Sequence, residues 1–563
     1  MMETTNFAGV TVERKQPCTM RDGTVLYADI YRPNTTEQLP VLLMRQPYGR
    51  AIASTVSHAH PVWYARQGFI VVIQDVRGKW DSEGEYVPFI NDAEDGYDTV
   101  EWAAALPGSN GKVGMYGFSY QGSTQWAAAS AAPPSLKAIA PAMCAADLYH
   151  GMFYPHGRFL LREHLPWAYQ LARDHARRLG AAEDEQQCAA YMRNPEMLFW
   201  KVPLASPEHH PLLEKYFPFY REWLEHESYD AYWQERDWLA KIKEQQHPIP
   251  ALHIGGWYDV FLMGTYQSYG ELRNRPGGEQ HRLVLGPWTH IPWGRYAGGY
   301  DHGDNADGNI HELQVQWFNY WLKGQGSGIA ENITYYEFGS KQWKHLSDVN
   351  NAKEIDFVLH SCYKPANGGL GGGRLLLDSE LAATEGTEAA EVAGTDGDLF
   401  VYDARQPMRL DSYLPLDRKG DQDRYEILVY CSEPMQEELT VYGVPKIEVQ
   451  YQLLEGKADL VALLSIVNEQ GEARLMSVGV NELDGGNATD TVEVAMKPCS
   501  FVLPAGSRVR LELTGSAFPL LARHPNQGYS TPNTTEPLEY NIATVAICNN
   551  QLRQSTLKLP IYN

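Results

Sequence analysis

The stretch KVGMYGFSYQGSTQWAAAS, residues 112–130, decides the fold class of this 563-residue chain. An apolar run leads into Gly117-Phe118-Ser119-Tyr120-Gln121-Gly122, and an alanine-rich helical pattern follows at once. A serine on such a tight strand-to-helix turn holds its hydroxyl at the carboxyl edge of a sheet, and nearby glycines avoid clashes across the turn. The pattern predicts a nucleophilic Ser119, with the backbone N–H of Tyr120 directed at a developing oxyanion. A small-residue turn without chemistry is the competing interpretation, because Gln121 stands where the usual G-x-S-x-G motif ends in glycine.

The regions around this turn predict a chain of four parts. Short β-branched or aromatic runs alternate with helical patterns in residues 1–145 and again in 246–350, which predicts the two parts of one mainly parallel, doubly covered sheet. Residues 146–245 are rich in aromatic, Arg and Glu residues at helical spacing, which predicts an inserted helical cap. Residues 351–563 show alternating strands separated by Gly, Asn and Asp turns, which predicts an all-β jelly roll. The fold class is therefore α/β, an α/β-hydrolase core with a cap and a C-terminal β-sandwich.

A nucleophilic serine needs a base, and the base needs an acid that orients it. In α/β-hydrolases these follow the serine in the order Asp, His, each on a loop after a strand. Asp259 ends the strand pattern LHIGGWYDV and His290 ends RLVLGPWTH, so both fit the order and the placement. The competing interpretations are a turn acid for Asp259 and a surface-loop histidine for His290.

Composition and charge exclude several classes of function. The net charge is −23, so we expect neither a nucleic-acid partner nor attraction to an anionic membrane. No apolar run reaches the roughly 18 residues of a membrane span, and the first residues carry acids where a signal peptide would have an apolar region. The seven cysteines are scattered without a C-x-x-C pair, which indicates neither a zinc ribbon nor a disulfide framework. We therefore expect a cytoplasmic protein that needs no metal or cofactor, and a homo-oligomer is compatible with the sequence.

As a set, the motifs of the chain resemble the CocE/NonD family of serine hydrolases, a group of esterases, acylases and X-Pro dipeptidyl-peptidases. The stretches that carry the resemblance are MRDGTVLYADIYRP (20–33), RQPYGR (45–50), QDVRGKWDSEGEY (74–86), DGYDTVEW (95–102), GFSYQG (117–122), GGWYDVF (255–261) and GPWTH (286–290). The resemblance implies Ser119 as nucleophile, His290 as general base and Asp259 as orienting acid. It also implies that the hydroxyl of Tyr48 joins the Tyr120 N–H in the oxyanion hole; the residues alone suggest only a packing aromatic at position 48.

The residues near the proposed acid favour one substrate class. Amino ester hydrolases of the family bind the substrate ammonium partly through carboxylates two and three residues past this acid, where the present chain has Phe261 and Leu262. An unpaired ammonium beside two apolar residues would cost several kcal/mol, which favours small apolar acyl groups. We expect Phe261 and Trp167 to bind substrate, with the cap aromatics Phe153, Tyr154 and Tyr169 as further wall candidates.

The predicted function is hydrolysis of carboxylic esters, or amides, of small-molecule substrates. An X-Pro dipeptidyl-peptidase, in which the cap carboxylate Glu163 would bind the ammonium, remains the first alternative. An acyltransferase of a biosynthetic pathway and a carbohydrate-binding protein are the others. Asp75 and Arg77 follow a strand and are expected to form internal ion pairs rather than to contact substrate.

Overall fold

The computed structural model describes residues 4–51, 55, 57–246, 248–347, 353–361, 364–384, 397–421, 423–486, 489–527, 533, 535–548 and 554–562. Its first half is built on an 11-stranded sheet with the order β1-β2-β3-β5-β4-β6-β7-β8-β9-β12-β13. The strands of this sheet are β1 (Thr4–Phe7), β2 (Val10–Thr19), β3 (Val25–Pro33), β4 (Leu39–Gln46), β5 (Ile70–Asp75), β6 (Ser109–Phe118), β7 (Leu136–Ala142), β8 (Leu252–Gly256), β9 (Arg282–Gly286), β12 (Ile333–Glu337) and β13 (Gln342–Leu346). A two-stranded hairpin of β10 (Tyr296–Ala297) and β11 (Tyr300–Asp301) lies outside it.

The central strands pair in parallel from β5 through β4, β6, β7, β8 and β9 to β12, whereas the edges are antiparallel. The central strands are almost entirely buried because helices cover both faces, as their continuous apolar sequences predict. The covering helices are α1 (Pro61–Arg66), α2 (Asp92–Ala104), α3 (Tyr120–Ser130), α11 (Leu262–Arg273) and α12 (Ile310–Phe318).

A helical cap lies between β7 and β8, as the sequence predicts. Its helices are α4 (Leu161–Arg178), α5 (Ala182–Arg193), α6 (Glu196–Phe199), α7 (Pro211–Tyr216), α8 (Phe219–Glu225), α9 (Ala231–Glu235) and α10 (Trp238–Lys243). The cap is held by aromatic side chains, including the buried Trp223, Trp233 and Trp238. The same apolar cluster contains Trp126 under the sheet and Leu463 of the C-terminal strands, so it joins core, cap and C-terminal strands.

The described residues of the C-terminal part form a β-sandwich with a short α-helix, α13 (Asp378–Thr384), and a 3-10 turn, Pro537–Glu539. Its strands are β14 (Lys353–Ser361), β15 (Gly373–Leu376), β16 (Asp398–Asp403), β17 (Arg409–Leu410), β18 (Leu428–Ser432), β19 (Leu439–Gly443), β20 (Lys446–Leu453), β21 (Lys457–Val467), β22 (Ala473–Asp484), β23 (Asp490–Ala495), β24 (Cys499–Leu503), β25 (Arg508–Thr514), β26 (Phe518–Pro519), β27 (Ile542–Ile547) and β28 (Thr556–Ile561). With the parallel core and the cap, this confirms the fold class expected from the sequence.

Two regular elements are interrupted. Strands β19 and β20 are separated at Val444-Pro445, because proline cannot donate to a strand ladder. Helix α12 ends at Phe318, and a π-helical turn, Asn319–Lys323, follows it. Within the described residues, no helix is both long and apolar enough to cross a membrane.

Candidate active site

The turn that carries Ser119 joins β6 directly to α3. Ser119 has φ 58° and ψ −129°, a backbone conformation that side-chain-bearing residues rarely adopt and that occurs where a site holds strain. A Cβ atom at Gly122 would lie 2.5 Å from Cys144 Sγ and 2.9 Å from the Ala142 carbonyl oxygen. The close approach of α3 to the end of β7 therefore requires the glycine at position 122, whereas the side chain of Gln121 is accommodated.

Ser119, His290 and Asp259 are brought together from three separate loops. Ser119 Oγ lies 2.9 Å from His290 Nε2, and His290 Nδ1 lies 2.8 Å from Asp259 Oδ1. Asp259 follows β8 and is fully buried, while His290 follows β9 and is partly exposed. Because a carboxylate only accepts hydrogen bonds, His290 donates from Nδ1 and leaves Nε2 to accept the Ser119 hydroxyl proton.

Two opposing effects set the pKa of His290. Burial lowers the pKa, whereas the negative charge of Asp259, its hydrogen bond to His290 and the negative charge of Glu163 raise it. The net pKa lies above the usual 6.5. The raised pKa means that the imidazolium is stabilised when His290 takes up a proton. This is the property that a general base beside a serine needs.

The side chain of Tyr48 projects into the same site from the loop after β4. Its hydroxyl accepts a hydrogen bond from Trp167 Nε1 at 3.1 Å, so its own proton remains available for donation. Burial raises the pKa of Tyr48 above its usual 10, and the phenol therefore remains protonated at neutral pH.

Tyr120 can contribute a backbone atom rather than its side chain. It is the first residue of α3, where backbone N–H groups have no partner within the helix. Its side chain points away: the hydroxyl donates to Asp92 Oδ2 at 2.7 Å, and the ring stacks on Phe89 with centroids 4.6 Å apart. Of the two donors expected for an oxyanion, one is thus the side-chain hydroxyl of Tyr48 and the other is the backbone N–H of Tyr120.

A cavity of about 460 Å³ opens over Ser119. The two predicted substrate-binding residues line it: the Phe261 ring lies 5.1 Å from the His290 ring, and Trp167 stacks on Trp223 at 5.3 Å. The described residues that line it are Tyr48, Phe118, Ser119, Gln121, Met152, Arg162, Glu163, His164, Pro166, Trp167, Gln170, Met192, Phe261, His290 and Ile291.

The other three cap aromatics proposed as walls do not line this cavity. Phe153 packs on His164 with centroids 4.2 Å apart, and the Tyr154 hydroxyl donates to the Trp223 carbonyl at 2.8 Å. Tyr169 contacts His210 through its hydroxyl at 3.1 Å. These side chains hold the cap together, and sequence spacing alone does not distinguish the inner face of a cap helix from the face that borders a cavity.

Two charged residues of the lining have different surroundings. Arg162 Nη1 forms ion pairs with Glu196 at 3.1 Å and Asp411 at 2.9 Å, so its charge is already balanced. Glu163 has neither an ion pair nor a hydrogen bond with any described residue. Burial raises the pKa of Glu163, a shift that His290 opposes. An unbalanced carboxylate therefore borders the cavity, and the sequence showed only its presence on the cap.

Asp75 and Arg77 form ion pairs, as expected, although not with each other. Asp75 accepts from the backbone N–H of Arg50 at 2.7 Å and pairs with its guanidinium. Arg77 pairs with Asp95 at 2.6 Å and with Asp22 at 2.7 Å. Neither lines the cavity; Asp75 connects the end of β5 to Arg50, and Arg77 connects the following loop to Asp95 of α2.

Comparisons with known proteins agree with the fold and with the resemblance drawn from the motifs. Residues 22–292 match the model of the X-Pro dipeptidyl-peptidase (S15) family, and residues 369–558 match that of the X-Pro dipeptidyl-peptidase C-terminal non-catalytic domain. The chain is 29% identical to the cocaine esterase of Rhodococcus sp. (strain MB1 Bresler) over 547 residues, covering 90% of this chain and 91% of the esterase.

Two solved structures show the same fold at low sequence identity. An aminopeptidase from a marine sediment archaeon of the Thaumarchaeota has a TM-score of 0.82 and 21% identity, covering 100% of this chain and 98% of its own. An α-amino acid ester hydrolase has a TM-score of 0.77 and 21% identity, covering 99% of this chain and 98% of its own. The shared fold extends over all parts of the molecule.

Proposed function

We propose that this chain, a hydrolase that matches the models of the X-Pro dipeptidyl-peptidase (S15) family and of the X-Pro dipeptidyl-peptidase C-terminal domain, cleaves carboxylic esters of small, largely apolar acyl groups through an acyl-Ser119 intermediate. The observation that carries the proposal is the hydrogen-bonded series from Ser119 through His290 to Asp259 at the floor of the cavity. The similarity to a cocaine esterase supports an ester as the substrate.

The proposed reaction has two steps. His290 Nε2 takes the proton of Ser119 as the oxygen attacks the ester carbonyl, while Asp259 orients the imidazole. The Tyr48 hydroxyl and the Tyr120 backbone N–H stabilise the tetrahedral oxyanion. His290 then gives its proton to the departing alcohol, and water, deprotonated by the same histidine, releases the acid from Ser119.

The walls of the cavity support an apolar acyl group. Met152, Met192, Trp167 and Phe261 provide an aromatic and thioether surface next to Ser119. Burial of apolar substrate area stabilises binding by about 25 cal/mol per Å². A polar acyl group would instead lose its hydrogen bonds to water in this region. The volume of about 460 Å³ lies within the usual range for small-molecule sites.

The test is an assay of wild type and Ser119→Ala on two sets of substrates. The esters are p-nitrophenyl acetate, butyrate and benzoate, and the amides are Gly-Pro-p-nitroanilide and Ala-Pro-p-nitroanilide. Ester turnover that disappears in Ser119→Ala, with little anilide cleavage, is the expected result. Ester turnover that survives in Ser119→Ala would contradict the proposal.

One observation favours the X-Pro dipeptidyl-peptidase alternative, namely the unbalanced carboxylate of Glu163 beside the cavity. A dipeptide substrate carries an N-terminal ammonium, and a hydrogen-bonded partner for a charged group contributes about 1.5–3 kcal/mol. The alternative therefore predicts that the chain distinguishes Ala-Pro-p-nitroanilide from isobutyryl-Pro-p-nitroanilide, in which a methyl group replaces the ammonium. The expected ratio of kcat/KM is about 10–100-fold in favour of the ammonium.

The variant Glu163→Gln decides between the two candidates. Under the alternative, the preference for the ammonium disappears in Glu163→Gln and persists in the control Glu196→Gln, whose carboxylate is already paired with Arg162 and Arg409. A wild type that cleaves p-nitrophenyl butyrate but neither anilide excludes the alternative.

A further inference from the structure

A lysine of the C-terminal sandwich reaches the loop that carries Asp259. Lys497 lies in the turn between β23 and β24, where its backbone N–H donates to the Val478 carbonyl at 2.8 Å. Lys497 is only 2% exposed to solvent. The side chain leaves the sandwich and enters the interface with the core, although the residues lining the cavity, among those the structure describes, all come from the core and cap.

The ammonium of Lys497 contacts backbone oxygens on both sides of Tyr258. Nζ donates to the carbonyl oxygen of Trp257 and lies 3.5 Å from that of Asp259. It also lies 4.6 Å from the centroid of the Tyr413 ring, close enough for a cation–π contact. One side chain therefore binds the short loop between β8 and α11 at two carbonyls, that of the catalytic acid proposed above and that of the residue two positions before it.

No described carboxylate forms an ion pair with this ammonium, which makes its burial costly. Burial lowers the pKa of Lys497 to about 7, although the negative charge of Asp259 opposes the shift. The other titratable groups that face it are His156, Cys499 and Tyr413, and the first has its own pKa lowered by burial and by Lys497. A lysine used only for packing would be replaced by an apolar residue without this cost.

The Asp259 carboxylate depends on its loop for its position. Its Oδ1 binds His290, while Oδ2 is buried with no hydrogen-bond partner among the described residues. The backbone around it is held by the Trp257 N–H on the Gly286 carbonyl at 2.9 Å, by the Tyr258 N–H on the Trp288 carbonyl at 3.0 Å and by the Lys497 contacts. Loss of the lysine would remove its donor from the Trp257 carbonyl and, among the described residues, leave the Asp259 carbonyl with the Leu262 N–H at 3.4 Å.

We propose that Lys497 is a positioning residue for the hydrolysis: its ammonium fixes the carbonyls of Trp257 and Asp259 and so holds the Asp259 carboxylate in line with His290. The proposal rests on the function proposed above. It makes the C-terminal sandwich a working part of the active site, because its Lys497 reaches the loop that carries the catalytic acid.

The kinetic test compares Lys497→Met with wild type on p-nitrophenyl butyrate from pH 5 to 8. A misplacement of about 1 Å in a catalytic group can lower turnover by about 10²-fold, so we expect kcat to fall about 10- to 100-fold while KM changes by less than about threefold. The acid limb of kcat/KM moves to lower pH, because a displaced Asp259 no longer raises the pKa of His290. A purely electrostatic lysine would move that limb to higher pH, since removal of a positive charge favours the imidazolium, and this outcome overturns the proposal.

The control is Lys446→Met, which removes a partly exposed lysine of the same sandwich that pairs with Glu493. It is expected to leave kcat unchanged. Lys497→Gln retains a neutral amide N–H donor and is expected to recover part of the lost kcat. It also serves if the methionine variant does not fold. A kcat of Lys497→Met within about twofold of wild type overturns the proposal, as does a kcat of Lys497→Gln that is no higher than that of a folded Lys497→Met.

Hydrogen–deuterium exchange separates this proposal from the proposed function. In Lys497→Met, peptides that span residues 257–262 are expected to exchange faster than in wild type, whether or not the protein hydrolyses esters. Failure of the proposed function would appear instead as ester turnover in wild type that survives in Ser119→Ala. Unchanged exchange in the 257–262 peptides overturns the positioning role.

Discussion

Tyr48 and Tyr120 are assigned to the same oxyanion through different atoms, and a pair of phenylalanine variants separates them. Tyr48→Phe removes the hydroxyl that would donate to the oxyanion, whereas Tyr120→Phe leaves the backbone N–H of Tyr120 in place. If both assignments are right, the two chemically identical changes have opposite consequences. Tyr48→Phe lowers kcat, and Tyr120→Phe lowers stability.

The magnitudes follow from the contacts of each hydroxyl. Loss of one oxyanion donor costs about 10²–10³ in kcat, or about 2.7–4 kcal/mol of transition-state stabilisation, so Tyr48→Phe is expected in that range with KM nearly unchanged. The Trp167 N–H loses its acceptor in this variant, but it borders the cavity, where water can accept instead. Because burial keeps the Tyr48 phenol protonated, the loss is expected to be the same from pH 6 to 9.

Tyr120→Phe breaks a buried network instead. The Tyr120 hydroxyl donates to Asp92 Oδ2 at 2.7 Å and accepts from the Phe89 N–H at 3.2 Å. A buried carboxylate that loses a partner costs about 1–3 kcal/mol of unfolding free energy, while kcat is expected within about threefold of wild type. The assays are p-nitrophenyl butyrate kinetics and guanidinium unfolding of both variants. A Tyr48→Phe enzyme with wild-type kcat, or equal losses of kcat in the two variants, would refute the assignment.

Two further predictions concern the base and the serine turn. The pKa of His290 is raised above 6.5, so kcat/KM is expected to fall as pH drops through a value above 6.5, and a kcat/KM profile that is flat down to pH 5 would contradict this. The stability that His290 gains from its pairing with Asp259 is present below pH 6.5 and is lost as pH rises through the folded pKa. Gly122→Ala places a Cβ 2.5 Å from Cys144 Sγ, so we expect a loss of about 1–3 kcal/mol in unfolding free energy together with a loss of ester turnover. The control Gly270→Ala is expected to retain turnover, because the added Cβ meets no atom within 4 Å.

The sequence was sufficient for those features that depend on local pattern. The serine turn is encoded by an apolar strand, two glycines and a helix within one short stretch, and the structure has the same elements there. Asp259 and His290 could be proposed because each follows a buried strand, and the carboxyl ends of parallel strands meet at one edge of the sheet. The structure places His290 within hydrogen-bond distance of Ser119, and Asp259 on the other side of the His290 ring.

Features that depend on packing between distant segments could not be predicted. Phe153 and Trp167 are both cap aromatics at helical spacing, yet only Trp167 borders the cavity, because the contacts of Phe153 with His164 and Trp223 decide its orientation. Lys497 is far from Asp259 in sequence and belongs to another domain, so no local pattern connects them. Glu163 is visible as a cap acid, but that it has no hydrogen-bond or ion-pair partner among the described residues is a property of the folded molecule.

The most direct test of the central claim is to trap the acyl-enzyme. Wild type is mixed with p-nitrophenyl butyrate, quenched in acid within the first turnovers, digested and analysed by mass spectrometry. A butyryl group on the peptide that contains Ser119, absent from Ser119→Ala, is the expected result. A butyryl group on another residue, or turnover in Ser119→Ala equal to that of wild type, would contradict the account.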